Sequence, residues 1–440
     1  MSAADVIATD VTRVLADGLA HAGGAAANDA LHAVRERGAE RVRALGLPER
    51  RQEAWRYTSL GFLQRADYRP FMDGPFSELQ MSDIEDLLLE GHQGPRLVFV
   101  NGHYAPALST PGRSGDGLRV STLAASGADA LPADFDQIAA HGHVFSALNA
   151  ALAADGALIE VTPGTELSDP IDVLHVAVGA DEPVILHPRH LFVIGQGARA
   201  ALIERYASLG DSVYFNNVLL EIAVADGAQL RHECLQQESP LAQHLDDLNV
   251  QLGAGSTYRY TLAALGGEWS RCDITLRFAG EGASADLNGL MLARDGQLND
   301  VHLDIDHAVP ACSSRETFKS ILDGRGRVVF DGRIRVARDA QKTDAALANH
   351  NLMLSRAAEV DTKPTLEIFA DDVKCSHGTT VGELDKDMLF YLRSRGIAEP
   401  AGKRMLCQGF AEDVLHNFDD AAMRARAAHL LDQRLARSSE

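Results

Sequence analysis

The sequence predicts a mainly β protein, with a β-solenoid at its centre and helices at both ends. From about Ala157 apolar and polar residues alternate with the two-residue period of a β-strand, and no helical segment of any length interrupts them until the 380s. Strand-and-corner repeats of about 30 residues are typical of a solenoid in which each coil packs on the next. Here a glycine followed by a small residue recurs in this way, at Gly164, Gly197, Gly227, Gly255 and Gly282.

Other folds share some of these features. A β-sandwich or a large barrel also has turns marked by glycine, so the repeat favours a solenoid and leaves both alternatives open. About 220 residues of strand without helical crossovers exclude a doubly wound α/β fold. The segment GQGARA, residues 195–200, matches a dinucleotide-binding fingerprint in form. Because the same glycine corner recurs downstream, a turn is the better interpretation.

Residues 1–140 are predicted to form a mostly helical N-terminal domain. Apolar residues recur at helical spacing in residues 6–19 and 30–45, and Gly46 ends the second helix. The β-solenoid core is predicted to follow over residues 141–383.

Residues 384–440 are predicted to form a C-terminal helical domain. Asp385 can cap its first helix, and Gly396 follows the last turn of that helix. The side chains that this helix carries include Met388, Leu389, Leu392 and Arg393.

The composition indicates a globular protein with an acidic surface. The 440-residue chain is 46% hydrophobic and 23% charged, and its 41 basic and 62 acidic side chains give a net charge of -21. An acidic surface argues against nonspecific binding to nucleic acids or anionic membranes. No segment has the length of a transmembrane helix, the first residues lack the pattern of a secretory signal, and the five cysteines are widely spaced. We therefore expect a cytoplasmic protein.

The segment HLDIDH, residues 302–307, is one candidate metal site. His302, Asp304 and Asp306 occupy alternate positions, which places them on one face of a strand. Oxygen and imidazole ligands together can hold a divalent cation, as acidic clusters do in calcium-dependent polysaccharide lyases with a β-helix. Any solvated strand face shows the same alternation. A β-helix carbohydrate-active enzyme is thus the more remote functional alternative.

Cys234 and Cys407 lack the surroundings of a nucleophilic cysteine. Cys234 follows His232 by two residues, but no third group that would orient such a pair can be identified. We expect Cys234 to be a buried structural cysteine and Cys407, on a predicted helix, to lie in the core.

Cys375 and His377 are the strongest candidate ligands. In an extended segment they point to the same side of the strand. A thiolate and a neutral imidazole suit zinc, copper or the iron of an iron-sulfur cluster. Two ligands do not complete a tetrahedral site, so the others would come from elsewhere in the chain or from another subunit. The alternative is a structural role at a strand end.

The segment around this pair also resembles a known family. The run ADDVKCSHGTTVGELDKDMLFYLRSRGI, residues 370–397, is closely similar to the C-terminal signature of the SufB/SufD family of iron-sulfur cluster assembly scaffolds. The CSHG form at residues 375–378 and the chain length are more like SufD than SufB. One departure is Ala311, where relatives often have a histidine. The resemblance extends to residues 46–60, 313–336, 341–355 and 358–370.

The resemblance implies a fold, two partners and a shared cofactor. The fold would be a right-handed parallel β-helix that pairs with a SufB-like subunit, and whether the isolated chain forms a homodimer stays open. His377, with Cys375 as the second candidate, would hold a nascent iron-sulfur cluster together with SufB, and this chain alone would bind none tightly. A SufC-like ATPase would dock on the first C-terminal helix, at Asp385, Met388, Leu389, Leu392 and Arg393.

The same resemblance implies a non-catalytic scaffold subunit. No phosphate-binding loop of the form G-x-x-x-x-G-K-[ST] occurs in the sequence, so the ATPase activity would belong to the SufC-like partner. The nearer alternative is a SufB-like role in which this chain itself receives sulfur, at Cys375.

Overall fold

The centre of the protein is a β-solenoid of about eight turns, formed by two long sheets that face each other. This computed structural model describes residues 12–20, 29–72, 79–112, 117–126, 131–139, 142–180 and 182–436. The helices are α1 (residues 12–20), α2 (Asp29–Leu45), α3 (Val144–Leu152), α4 (Lys386–Ser394), α5 (Glu399–Leu415) and α6 (Ala421–Ala436). Short 3-10 turns occupy Glu53–Trp55, Gly61–Gln64, Met81–Asp83, Glu85–Leu87 and Pro106–Leu108.

The strands are short at the N-terminal end of the solenoid and about ten residues long after it. The first eight are β1 (Arg69–Pro70), β2 (Arg96–Val100), β3 (His103–Tyr104), β4 (Leu118–Thr122), β5 (Ala157–Val161), β6 (Ile171–Val178), β7 (Val184–Leu186) and β8 (Arg189–Ile194). The next seven are β9 (Arg199–Leu209), β10 (Tyr214–Val224), β11 (Gln229–Gln236), β12 (Gln243–Leu252), β13 (Thr257–Ala264), β14 (Trp269–Phe278) and β15 (Ser284–Ala293). The last six are β16 (Leu298–His307), β17 (Ser313–Leu322), β18 (Arg327–Val336), β19 (Asp344–Met353), β20 (Glu359–Ile368) and β21 (Lys374–Glu383).

Successive strands alternate between the two sheets. One sheet has the order β20-β18-β16-β14-β12-β10-β8-β5-β4, with β1 and β7 beside it, and the other has the order β21-β19-β17-β15-β13-β11-β9-β6-β2-β3. The strands of the solenoid pair in parallel, and each coil contributes one strand to each sheet. Parallel pairing between neighbouring coils excludes the antiparallel sandwich and barrel. The predicted β-solenoid is therefore confirmed.

In-register pairing stacks like residues inside the solenoid. Leu220, Leu248, Ile274 and Leu303 occupy matching positions on four successive strands of one sheet, and all four are buried. Burying one such side chain contributes about 1.5 to 3 kcal/mol. The alternation seen in the sequence is thus the alternation between the interior of the solenoid and its outer faces.

The recurring glycines form one corner of the solenoid. All five have φ between +62° and +72°, and Gly197 and Gly227 donate their amide protons to Asp226 and Ala254 of the next coil. Gly197 lies within GQGARA, so that segment is a turn between two strands and no helix follows it. In the next two coils Ala311 and Lys342 take the same position with φ of 60° and 63°. A residue with a side chain is strained there, because the left-handed region favours glycine.

The N-terminal region is less helical than predicted. Beyond α2 the described residues up to 139 form only 3-10 turns and short strands, and α3 falls within residues 141–383, the range predicted for the solenoid. The reason is tertiary packing: Trp55, Phe62 and Tyr68 spread over the outer face of the solenoid around Phe215. Following that curved surface is incompatible with one regular helix.

The C-terminal helices lie against the opposite side of the coils. Cys407, Ala411 and Val414 of α5 and Leu431 of α6 are buried in one cluster with apolar residues from the outer faces of the odd-numbered strands. Among the described helices, none is both long enough and apolar enough to cross a lipid bilayer.

Candidate functional site

The candidate site lies at the open end of the solenoid. β20 and β21 are the last strands of the two sheets, so no further coil covers them. Residues along β19, one strand inward, alternate between buried and half-buried, whereas every residue of β21 is half-buried or exposed. The outer edges of both strands therefore present backbone groups without a strand partner among the described residues.

Cys375 and His377 face along the interior of the solenoid at this end. They pair in register with Ala345 and Leu347 of β19, whose side chains are 1% and 2% exposed because they point inward. Residues in register on parallel strands point to the same side, so Cys375 and His377 also point inward. Cys375 packs partly against the core, while His377 is exposed. Cys375 and His377 thus share one strand face, as predicted. His377 is exposed because no further described coil packs on β21.

Hydrogen bonds link the two sheets at the open end of the solenoid. The hydroxyl of Thr362 on β20 lies 3.0 Å from that of Thr379 on β21, and it donates to Asn349 Oδ1 at 3.0 Å. Thr379 is two residues after His377 on the same inward face. The strand that carries Cys375 and His377 is therefore held by contacts with both sheets.

Two acidic groups, the buried Glu316 and the partly exposed Asp344, influence the pair electrostatically. Burial raises the pKa of the Cys375 thiol above its usual range, with Asp344 and Glu316 acting in the same direction. Glu316 stands two strands below His377 in the same inward column and is fully buried. Burial raises the pKa of Glu316 to about 8. Cys375 is therefore a protonated thiol at neutral pH until a metal or a base removes its proton.

The alternative site at residues 302–307 is arranged as a set of ion pairs. Asp304 accepts from Arg333 at 2.6 Å and Asp306 accepts from Arg335 at 3.0 Å, while His302 Nε2 lies 2.9 Å from a carboxylate oxygen of Asp300. Asp304 and Asp306 are thus each neutralised by an arginine of the next coil. This arrangement does not offer the open oxygen cage that calcium requires.

The two cysteines predicted to be structural are buried. Cys234 faces the interior of the solenoid and Cys407 lies in the cluster between α5 and the strands. His232, two residues before Cys234, has its Nε2 at 3.1 Å from Glu204 Oε2. Glu204 was missed by the sequence reasoning, because a glutamate at an inward strand position cannot be distinguished there from one on a solvated face.

The segment EAWRYTSL, residues 53–60, fastens the N-terminal region to the solenoid. The ring of Trp55 stacks on the guanidinium of Arg271 at 3.9 Å. Arg271 donates to Asp300 at 2.9 Å, and the Thr58 hydroxyl donates to the same carboxylate. This segment has a packing role, and its aromatic residue is the only signal of it in the sequence.

The predicted docking residues lie on two sides of α4. Asp385 caps the helix by accepting from the amides of residues 387 and 388, as predicted. Leu389 and Leu392 are half-buried against Gly402 of α5, while Met388 and Arg393 are exposed. Two further side chains of α4 are more exposed than the predicted leucines: Phe390 at 71% and Tyr391 at 56%.

Comparison with known proteins agrees with this geometry. Residues 176–410 match the family model described as "SUF system FeS cluster assembly, SufBD core domain", and residues 23–173 match the one described as "SufBD protein N-terminal region". The chain belongs to the SufBD family. The resemblance of its C-terminal signature is therefore confirmed, and in this SufBD protein the signature forms β21, α4 and the turn between them.

Individual relatives cover most of the chain. It is 36% identical over 392 residues to "Iron-sulfur cluster assembly protein SufD" of Escherichia coli, spanning 89% of this chain and 90% of that protein. It is 32% identical over 404 residues to an iron-sulfur cluster assembly SufBD family protein of Synechocystis, spanning 89% and 88%. A chloroplast protein of Arabidopsis thaliana is 28% identical over 407 residues, or 90% and 84%. This is a SufD-like protein of the SufBD family.

Proposed function

We propose that this protein is a non-catalytic scaffold subunit for iron-sulfur cluster assembly, with a SufB-like partner at the open end of the solenoid and a SufC-like ATPase on α4. The observation that carries the proposal is that Cys375 and His377 point into the interior of the solenoid from its last strand, where His377 is exposed. Because no further coil follows them among the described residues, the remaining ligands of such a site would come from a partner subunit.

The unpaired edges of β20 and β21 are suited to β-augmentation by a partner. A strand of the partner would pair with each edge and at the same time cover the apolar side chains of Ile368, Phe369 and Val381, which are exposed. A second copy of this chain offers the same edges. The heterodimer is favoured because the chain belongs to the SufBD family, in which the resemblance of the C-terminal signature implies a SufB-like partner.

The ligand chemistry of the pair fits a transient cluster. Imidazole and thiolate are both ligands of iron-sulfur clusters, and the exposed His377 is the accessible one of the two. Cys375 has to lose a proton that its partly buried site retains. We therefore assign the first ligand to His377 and the second to Cys375. The cluster would be cargo that passes through the interface.

The ATPase would act through α4. Only two residues separate the end of β21 from the start of α4, so a force on this helix is transmitted directly to the strand that carries the ligands. α5 and α6 are fixed to the solenoid, for example by Lys319, which donates to the carbonyl of Phe410 at 3.0 Å. ATP-driven movement of the partner would thus shift the interface between closed and open states.

Replacing His377 by alanine tests the proposal. In cells that express this chain with SufB-like and SufC-like partners, His377→Ala should abolish cluster assembly while the three proteins still co-purify. His416→Ala, at an exposed histidine that follows α5, is the matched control and should assemble clusters normally. Unimpaired assembly in the His377 variant would refute the ligand role, and loss of co-purification would indicate a purely structural one.

A sulfur-accepting role is the second candidate, because Cys375 is the one cysteine of the five that is not fully buried. Incubation with a persulfidated sulfur donor, followed by mass mapping, distinguishes the two roles. A persulfide on Cys375 would favour the SufB-like alternative. An unmodified Cys375 beside a modified SufB-like partner would favour the scaffold.

A further inference from the structure

Four side chains with metal-binding atoms meet inside the solenoid, far from its open end. Glu204 on β9 pairs in register with Cys234 on β11, and Asp246 on β12 pairs with Cys272 on β14. The first two side chains point inward from one sheet and the other two from the opposite sheet. We call these four residues the interior cluster. Five strand spacings of about 4.8 Å separate Cys234 from Cys375, so the interior cluster lies about 24 Å from the open end.

The interior cluster is close-set and fully enclosed. One ligand atom from each of Glu204, Cys234 and Asp246 lies within 4.8 Å of the other two. Cys234, Asp246 and Cys272 line a common cavity of 10 Å³, a volume that holds about one small atom or water. All four side chains are at least nine-tenths buried.

Apolar residues surround the cluster along the solenoid axis. In the register column of Glu204 and Cys234 the neighbours are Val173 before and Leu262 after. In the column of Asp246 and Cys272 the neighbours are Val218 and Val301. The residues next to the interior cluster in these two columns are thus all apolar, as packing inside a solenoid favours. The four polar side chains of the cluster therefore need a separate explanation.

One polar atom of the cluster lacks a partner among the described residues. Glu204 accepts from the Tyr206 hydroxyl at 2.6 Å and lies 3.1 Å from His232 Nε2. Asp246 is 3% exposed, and its Oδ1 has no hydrogen-bond partner in the described part of the chain. A buried carboxylate oxygen without a donor is costly. A cation in the adjacent cavity would remove that cost.

We propose that Glu204, Cys234, Asp246 and Cys272 bind one divalent transition-metal cation, zinc or ferrous iron, inside the β-solenoid. Two sulfur and two oxygen ligands match the tetrahedral preference of such ions and are too soft a set for calcium or magnesium. With metal-ligand bonds of about 2.0 to 2.3 Å, neighbouring ligand atoms lie about 3.5 Å apart. The ligand atoms of Glu204, Cys234 and Asp246 already lie within 4.8 Å of one another, so small side-chain rotations would bring them to that distance. Cys272 lines the cavity beside them and would rotate toward the ion as the fourth ligand.

The cation would replace protons. Burial, followed by the nearby acidic groups, raises the pKa values of both Cys234 and Cys272 well above the usual range. Burial raises that of Asp246 in the same direction. Binding of the ion would displace the protons of the cysteine thiols to solvent.

A neighbouring trio is a less suitable ligand set. His175, His190 and Glu204 also bring their ligand atoms within 4.8 Å of one another. His190 Nδ1, however, accepts the amide proton of Ala157 at 2.8 Å, and burial lowers the pKa of His190 to about 4. The neutral ring then carries its proton on Nε2, which leaves no lone pair there for a metal. The cation is therefore assigned to the cluster with the two cysteines.

The site is enclosed, so the ion would enter as the chain folds. The test uses the isolated full-length chain, unfolded in denaturant with a chelator and then refolded with cobalt(II) as the probe. We expect one cobalt per chain, sulfur-to-cobalt charge-transfer absorption and the visible bands of tetrahedral cobalt. Zinc added during refolding should suppress these signals, and a chelator added after refolding should not remove the metal.

Variants locate the site. Cys234→Ser with Cys272→Ser should abolish the sulfur-to-cobalt absorption, and Asp246→Asn should weaken cobalt binding at least tenfold. Cys407→Ser, in α5, is the control and should keep the full signal, whereas loss of the signal in Cys375→Ser would place the cobalt at the open end. Wild-type protein without the absorption, or a signal that survives the double substitution or is lost in Cys375→Ser, would overturn the proposal.

A second measurement covers the case in which the double variant does not fold. The melting temperature of the wild-type protein should rise when it is refolded with zinc, and that of Asp246→Asn, which keeps the side-chain shape, should not. An equal rise in both proteins would contradict the site. Metal analysis of protein purified without oxygen then distinguishes zinc from iron. Because no partner protein is involved, these results are independent of the proposed scaffold function.

Discussion

Glu316→Gln should stabilise the protein, and more so as the pH rises. Glu316 is fully buried beneath the candidate cluster ligands, and its pKa is raised from 4.5 to about 8. Below pH 4.5 the carboxyl group is protonated in both the folded and the unfolded state, so it contributes no pH dependence. Between these two pKa values the unfolded state loses the proton while the folded state keeps it. Unfolding then releases a proton, and the stability of the wild-type protein falls as the pH rises.

The magnitude follows from the size of the shift. At about 1.4 kcal/mol per pKa unit, a shift from 4.5 to about 8 corresponds to about 5 kcal/mol. Glutamine has nearly the same shape and does not ionise. The difference in unfolding free energy between Glu316→Gln and the wild type should therefore grow by about 5 kcal/mol from about pH 4.5 to about pH 8 and stay constant above that.

Urea unfolding followed by circular dichroism at several pH values measures this difference. Glu383→Gln, at an exposed position on β21, is the control and should show little change. A difference that varies by less than about 1.4 kcal/mol, one pKa unit, over this range would refute the argument. Because Glu316 also raises the pKa of Cys375, Glu316→Gln should in addition make that thiol react faster with iodoacetamide at mildly alkaline pH.

Three further outcomes are expected. The double substitution Phe390→Ala and Tyr391→Ala should reduce capture of the SufC-like ATPase by at least tenfold. The control Leu241→Ala, also at an exposed apolar position, should not reduce it. Equal capture by the two variants would exclude α4 as the docking site. Gly255→Ala should cost about 1 to 2 kcal/mol, because φ is +62° and nothing crowds the new methyl group, while Ala311→Gly at the matching corner should be neutral or stabilising in thermal unfolding. Leu248→Ala should cost about 2 to 5 kcal/mol, and no loss of unfolding free energy would contradict its burial.

The β-solenoid was predictable because its signals are local. A corner that needs positive φ selects glycine, so Gly164 and Gly197 mark coils without reference to the rest of the chain. The shared face of Cys375 and His377 was predictable for the same reason, since alternation along a strand is a property of the backbone. The lower helical content of the N-terminal region was not predictable, because Trp55 and its neighbours follow a surface made by distant strands.

Contacts between coils could not be derived from the same patterns. The arginines that neutralise Asp304 and Asp306 come from the next strand of the sheet, 29 residues later in the sequence. Likewise, helical spacing groups Leu392 with Met388 on α4, but packing against Gly402 of α5 half-buries the first and leaves the second exposed. Which side of a helix remains free depends on its neighbours.

The sequence by itself determined the solenoid, its last strand, the capped helix after it and the shared strand face of Cys375 and His377. Each of these depends on residues adjacent in the chain, where backbone geometry dictates the pattern. Only the tertiary structure decided that Cys375 and His377 lie at an uncovered end. It also decided that the ligand atoms of Glu204, Cys234 and Asp246 come together across the interior, with Cys272 lining the same cavity. The four residues of the interior cluster lie on strands, and the outermost two are 68 residues apart in the sequence. The register of the coils brings them together.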